Sequence, residues 1–249
     1  GSLDVTTDAS GYADIITVLT GISVTAGDTV SATATYLTGG TTPASTSEFS
    51  NGVTAVSGAA SVIVDTASDI SDGDTSSISA LFSNKGADGR VSLREAILAT
   101  NNTGNLGAGY DTIIFNIPGV GPQTIALLSS LPAITEALVI DGTSQTGYLG
   151  SSPVIILNGV AAGAGADGLT LSAGAAGSTI RGLAIGGFSG SGIVVGADNS
   201  IIDHNYIGTD ETGTIDQGNI GDGIEITSAG NTIWFNVISG NDAAGIEIT

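Results

Sequence analysis

The sequence predicts an all-β chain in which a partial β-sandwich precedes a solenoid of stacked parallel coils, and three observations predict it. One phrase recurs as Ser178-Thr-Ile-Arg-Gly-Leu-Ala-Ile185, Ser200-Ile-Ile-Asp-His-Asn-Tyr-Ile207 and Asn231-Thr-Ile-Trp-Phe-Asn-Val-Ile238. A second recurs as Gly168-Leu-Thr-Leu171, Gly192-Ile-Val-Val195, Gly223-Ile-Glu-Ile226 and Gly245-Ile-Glu-Ile248, with intervals of 24, 31 and 22 residues between the glycines. A unit of about 22 residues cannot bury its own apolar face, so its copies must stack and share one core. Each phrase is also a short run rich in Ile and Val, bounded by Gly, Asn, Asp and Ser, with no competing helical period. Third, residues 3–56 read as alternating strands separated by turn chemistry.

Those early strands are Leu3 to Thr7, Ala13 to Leu19, Thr29 to Tyr36 and Phe49 to Val56, with separators at Asp8 to Gly11, Ala26 to Asp28 and Gly39 to Pro43. Four strands make half of a sandwich of about seven, so residues 1–58 are assigned to a partial sandwich module. Residues 59–110 form a linker and cap-helix region. The stretch Ala59 to Asp65 begins the second module, and Val91 to Thr100 is a helix whose Leu93, Ile97 and Leu98 share one face. Ser92 and Glu95 have the spacing of a capping box. Residues 111–249 form the solenoid, beginning with irregular coils at Asp111 to Asn116, Gln123 to Leu127, Ala137 to Asp141 and Val154 to Asn158.

The period of two along a strand places Ile180, Ile202 and Ile233 in one inward ladder and Arg181, Asp203 and Trp234 in one outward column. Ile185, Ile207 and Ile238 form a second inward ladder. Between them, Leu183, Asn205 and Asn236 fall at a corner. An Asn there tolerates a left-handed backbone and bonds to the Asn of the next coil, so Asn205 over Asn236 is read as an internal ladder.

Composition narrows the function classes. Only Lys85, Arg90, Arg94 and Arg181 are basic against 24 acidic residues, a formal net charge of −20. Nucleic acid and anionic membranes are therefore poor partners and divalent cations good ones. There is no cysteine, hence no disulfide or thiolate chemistry. No apolar run has the length of a membrane span, so direct membrane insertion is not expected. Strand-like sequence follows Gly1-Ser2 at once and Thr249 ends directly after a strand; both ends predict a portion of a longer modular protein, with the solenoid truncated at its C-terminal end.

Four groups of residues are candidate sites. Asn84 to Glu95 overlays the twelve-residue calcium loop, with Asn84 at position 1, Asp88 at 5, Gly89 at the sharp turn, the Arg90 carbonyl at 7 and Glu95 as the bidentate ligand. Gly86 supplies no ligand at position 3; in the alternative, Glu95 caps the helix and Asp88-Gly89 is an ordinary turn. Asp65, Asp69, Asp72 and Asp74 lie just upstream. Glu225 and Glu247 share an outward slot on successive coils, about 5 Å apart, where they hold a bridging cation, form an interface or stand in water; the same spacing suits a retaining glycosidase, but no neighbouring residues supply substrate-distorting or oxyanion-stabilising groups. The insertion Gly208 to Asn219 explains the 31-residue interval and projects as a loop carrying Asp210, Glu211 and Asp216. Finally, His204, Tyr206, Trp234 and Phe235 gather on adjacent coils of a chain that is only 4% aromatic, as a ligand or partner surface or as cross-strand packing. The one histidine has no nucleophile or metal-ligand partner at useful spacing.

The Asn-x-Ile coils of Ser178 to Thr249 resemble the right-handed parallel β-helix family. Ser92 to Ala96 resembles the C-S-L-R-E-A motif that opens many bacterial β-helix domains, departing from it at Val91, and in that family the helix caps the first coil. Asp28 to Tyr36 with Ser45 to Ser50 resembles the closing half of Ig-like modules that separate bacterial β-helices, and Gly208 to Thr214 resembles their I-G-T-D-x-T-G-T inserts. These resemblances imply a calcium-stiffened structural or adhesive module of a large secreted bacterial surface protein, non-enzymatic, extracellular, self-associating or bound to other surface proteins or carbohydrate. The implied alternative is a polysaccharide-binding or polysaccharide-degrading β-helix. Such enzymes need a basic residue beside calcium or a set of carboxylates, whereas Arg181 is the one basic residue of the repeats, stacked beneath Asp203 as an expected ion pair.

Overall fold

A computed structural model describes residues 59–105 and 109–249, together with the backbone of 29–30, 33–38, 42–48 and 53–54. The chain divides into two compact units, Gly1–Ser57 and Gly58–Thr249.

In the first unit, β1 (Thr29–Val30) pairs antiparallel with β4 (Val53–Thr54), and β2 (Thr33–Thr38) with β3 (Thr42–Glu48). The expected strands at Leu3 to Thr7 and Ala13 to Leu19 lie outside the described residues. Thr42 and Pro43, expected in a turn, instead open β3. Pro43 opposes Leu37 beside a register shift at Tyr36/Leu37, and a strand start beside a bulge is a place where a missing amide proton is tolerated.

The second unit is a three-sided parallel solenoid. Its first sheet contains β5 (Ser61–Val64), β6 (Asp111–Phe115), β8 (Leu138–Asp141), β11 (Thr179–Arg181), β14 (Ile201–Asp203) and β17 (Thr232–Trp234). Its second contains β7 (Gln123–Ala126), β9 (Ile155–Asn158), β12 (Leu183–Gly186), β15 (Tyr206–Ile207) and β18 (Val237–Ile238). The third contains β10 (Leu169–Leu171), β13 (Ile193–Val195), β16 (Ile224–Ile226) and β19 (Ile246–Ile248). From β8 onward each turn of chain visits the three sheets in that order. Sheet pairing reaches upstream to β5, inside the stretch read as linker and cap-helix region.

The expected registers are present. Ile180, Ile202 and Ile233 are aligned, as are Arg181, Asp203 and Trp234; Ile185, Ile207 and Ile238 form the second ladder. Leu169, Ile193, Ile224 and Ile246 form a third. Ile180, Ile185, Ile193 and Ile202 are fully buried in one continuous core that Ile233 and Ile238 pack against, whereas Ile246 on the last coil is exposed.

The glycines that open the first three third-sheet phrases, Gly168, Gly192 and Gly223, have a steric cause. A Cβ on Gly192 would lie 2.5 Å from Ile207 Cγ2 and 2.7 Å from the Gly223 carbonyl oxygen, and one on Gly223 would lie 2.6 Å from that of Gly245. Neighbouring coils approach there closely enough, through backbone carbonyls and the side chains beside them, that no Cβ fits.

Two helices precede the regular coils. α2 (Leu93–Asn101) has the expected capping box: Ser92 Oγ accepts from Glu95 N–H while Glu95 accepts from Ser92 N–H. Its Leu93, Ala96 and Ile97 are buried, and the helix packs against β5 and β6. The other, α1 (Ile78–Ser83), is capped by Ser77 and buries Ile78 and Leu81; only α2 is legible in the sequence.

Candidate functional site

The corners of the solenoid decide which side chains leave it. Between the first and second sheets, Asn205 is fully buried. Its Oδ1 accepts from Leu183 N–H at 3.1 Å, while its Nδ2 donates to the Ile180 carbonyl at 3.0 Å and to Asn236 Oδ1 at 3.1 Å. Asn236 Oδ1 also accepts from Asn205 N–H, and Asn236 Nδ2 donates to the Ile202 carbonyl, both at 2.8 Å. The expected ladder therefore exists, but its conformation differs from the expected one. The left-handed residue is the one before each of Leu183, Asn205 and Asn236: Gly182 at φ 70°, His204 at 54° and Phe235 at 52°. Neither Asn205 nor Asn236 itself has a positive φ. That leaves the strained position to a side chain that points away, at about 1–2 kcal/mol for a residue bearing Cβ.

The sequence reading missed two further ladders. Between the second and third sheets, Asn219 Oδ1 accepts from Phe188 N–H at 3.0 Å and Asn219 Nδ2 donates to Asn241 Oδ1 at 2.8 Å. Between the third and first, Leu138 N–H donates to Ser178 Oγ at 3.0 Å and Ser200 N–H to Asn231 Oδ1 at 2.8 Å. The signal was the Gly-Asn pair at 218–219 and 240–241, each Asn four residues before a third-sheet glycine.

The residues overlaid on a calcium loop are placed apart in role. Glu95 is 1% exposed. Its Oε1 accepts from Asp72 and Gly73 N–H at 2.8 and 2.7 Å, and its Oε2 from Ser92 N–H and Oγ. Both oxygens are thus engaged by protein donors. Asn84 ends α1 and accepts from Gly86 N–H, Asp88 accepts from Arg90 N–H, and the Arg90 guanidinium faces Asp65 at 3.8 Å. Asp69, read as one of a loop of upstream carboxylates, forms a paired bond with Arg94 at 2.8 and 2.9 Å. Among the described residues no three His, Asp or Glu side chains are grouped as a metal site, and no helix is long and apolar enough to cross a membrane.

Glu225 and Glu247 are in register on β16 and β19. The carboxyl of Glu247 is held above its ordinary value chiefly by Asp222, through charge and a shared hydrogen bond, with Glu225 adding repulsion. In the insertion, Asp210 is tied inward: its Oδ1 accepts from Thr214 and Ile215 N–H, each at 3.0 Å, and Thr212 Oγ1 donates to it. The bond from Ile215 leads in keeping its carboxyl below the ordinary range. The loop lies along the second sheet, where Thr124, Ile156, Asn158, Glu211 and Gln217 line a shallow groove.

The outward column of the first sheet corrects the expected ion pair. Arg181 Nη2 bonds Asp141 Oδ2 at 2.6 Å, one coil below, and not Asp203. Burial opposes ionisation of Asp141, yet the bonds from Arg181 and Thr143 and the charge of Arg181 outweigh it and lower its pKa. Asp203 instead bonds its neighbour, His204 Nδ1. The chain from Gly142 to Pro153 folds beside this corner: Tyr206 Oη donates to the Ser151 carbonyl at 3.1 Å, and burial followed by the charge of Asp203 raises the pKa of Tyr148. Tyr206 is therefore a strut under a flanking segment.

The remaining three members of the aromatic group stand together. The His204 and Phe235 ring centroids are 5.0 Å apart and those of Trp234 and Phe235 5.2 Å, tilted by 36° and 37°. Trp234 is 50% and Phe235 69% exposed. Compared with protein-family models, curated proteins and solved structures, the chain matches none.

Proposed function

We propose that this chain is a structural and adhesive module of a large secreted bacterial surface protein, in which the solenoid supplies length and stiffness and its outward side chains make the contacts. The observation that carries the reading is the set of three internal side-chain ladders, which join successive coils at every corner. A buried amide bonded on both sides resists sliding and splaying of coils in a way that apolar stacking alone does not. Stiffness built this way is intrinsic to the chain, so bound calcium would add to it at acidic loops and not create it.

Within the proposal, α2 closes the end of the core beside β5 and β6, and the paired strands of the first unit belong to an Ig-like sandwich. The coil hand is taken as right-handed because parallel crossovers have that hand in about 98% of cases. The surplus of carboxylates suits a hydrated, non-aggregating exterior. Antibodies raised against the chain test the location directly. Labelling of intact cells of the encoding organism is expected, and labelling only after permeabilisation would overturn the proposal.

A further inference from the structure

We infer that His204, Trp234 and Phe235, with the Asp203 carboxylate, form a binding site for an uncharged pyranose oligosaccharide; this rests on the adhesive reading and names the ligand class of that surface. The first reason is conformational. The corner before each ladder residue takes a left-handed backbone, and the coil below fills it with Gly182 at φ 70°. The next two coils fill the same position with His204 and Phe235, at φ 54° and 52°. Glycine is the residue that such a corner accepts without strain, so the two rings are held against the preference of the backbone that carries them.

The second reason is what those rings present. Both Phe235 and its neighbour Trp234 are at least half exposed; His204 and Phe235 follow one another along the stacking direction, and Trp234 lies beside Phe235 along the chain, so the three tilted rings form a bent patch. Pyranose rings offer a flat C–H face that such aromatic surfaces desolvate, with equatorial hydroxyls at the rim. Asp203 accepts from His204 Nδ1 and shares that rim, so the stack is bordered by groups that bond hydroxyls. A peptide strand would instead need a row of free backbone partners, and an acidic glycan would meet a chain of formal charge −20.

Trp234 is the one tryptophan of the chain, so its emission reports on the site. The purified chain is titrated with cellohexaose, xylohexaose and maltohexaose, and with oligogalacturonate as the charged comparison. A saturable change in Trp234 emission with at least one uncharged hexaose is expected, weakened about tenfold or more in Phe235→Gly and in His204→Gly. Glycine suits both corners, so these variants should fold, and unchanged circular dichroism and melting confirm it. No saturable change with any uncharged hexaose up to about 10 mM, binding that survives in Phe235→Gly, or binding of oligogalacturonate alone would each overturn the inference. Absent sugar binding with retained surface labelling removes this inference and leaves the adhesive module; sugar binding without surface labelling does the reverse.

Discussion

Replacing Asn205 by Ala isolates what an internal ladder contributes. The side chain is fully buried and spans three coils through Leu183 N–H, the Ile180 carbonyl and Asn236 Oδ1. Alanine leaves a buried amide proton and a carbonyl lone pair without partners and opens a small void. An unsatisfied buried group costs about 1–3 kcal/mol, and the missing atoms add roughly 1 kcal/mol. The expected loss is therefore about 3–5 kcal/mol. Asn236→Ala removes the same chemistry from a half-buried side chain that water can replace, and should cost about 1 kcal/mol. Urea denaturation followed by far-ultraviolet circular dichroism measures both, compared at equal m. The double variant should cost less than the sum of the single changes, because the two amides share one bond. Equal and small losses for the two single variants would refute the idea that these amides, and not the apolar ladders, hold neighbouring coils in place.

Other expectations follow from contacts already described. Glu95→Gln should cost about 2–3 kcal/mol in the same assay, since an amide group would face donors that the carboxylate now accepts; a neutral outcome would return Glu95 to the ligand candidates. Gly192→Ala should cost about 3 kcal/mol or more, because its Cβ would meet the Gly223 carbonyl, which cannot move without separating the coils. Glu247 binds protons more readily folded than unfolded, so it should lower stability as pH rises from its ordinary value near 4.5 through its raised folded value; Glu247→Gln should flatten that stretch of the melting profile. Asp141 has the opposite sign: its contribution is present above the ordinary value of 3.8 and is lost as pH falls through its lowered folded value. Asp141→Asn should remove that acid-side loss.

The regular coils were legible because a two-residue period and a fixed phrase length determine register together: once Ile180 faces inward, so do Ile202 and Ile233. The Asn205–Asn236 ladder was legible for the same reason. The Asn219–Asn241 ladder was hidden by the insertion, which moves the Asn away from the phrase that precedes it and leaves it aligned with the glycine that follows. Arg181 was matched with Asp203 because both lie in repeats; its partner Asp141 belongs to an irregular coil 40 residues upstream, where no phrase marks the register. The calcium-loop spacing was read from Asn84 to Glu95, but the capping box claimed Glu95. Helix α1 has only six residues, too few for a helical period to show. The aromatic group was legible as composition, while the division between Tyr206 as strut and the three exposed rings depended on the chain from Gly142 to Pro153.

The corners differ in how much chain they admit, and that has a consequence for descent and for engineering. Gly182 alone joins β11 to β12, whereas the passage from β15 to β16 holds a complete extra loop seated on Gly186, whose missing Cβ makes room for the Gln217 carbonyl. From β11 onward that edge of the prism is thus a spine of one or two residues, and another is open to insertion. New segments gained by duplication or grafting should survive between β12 and β13 or between β18 and β19, where they lengthen a surface loop at small entropic cost.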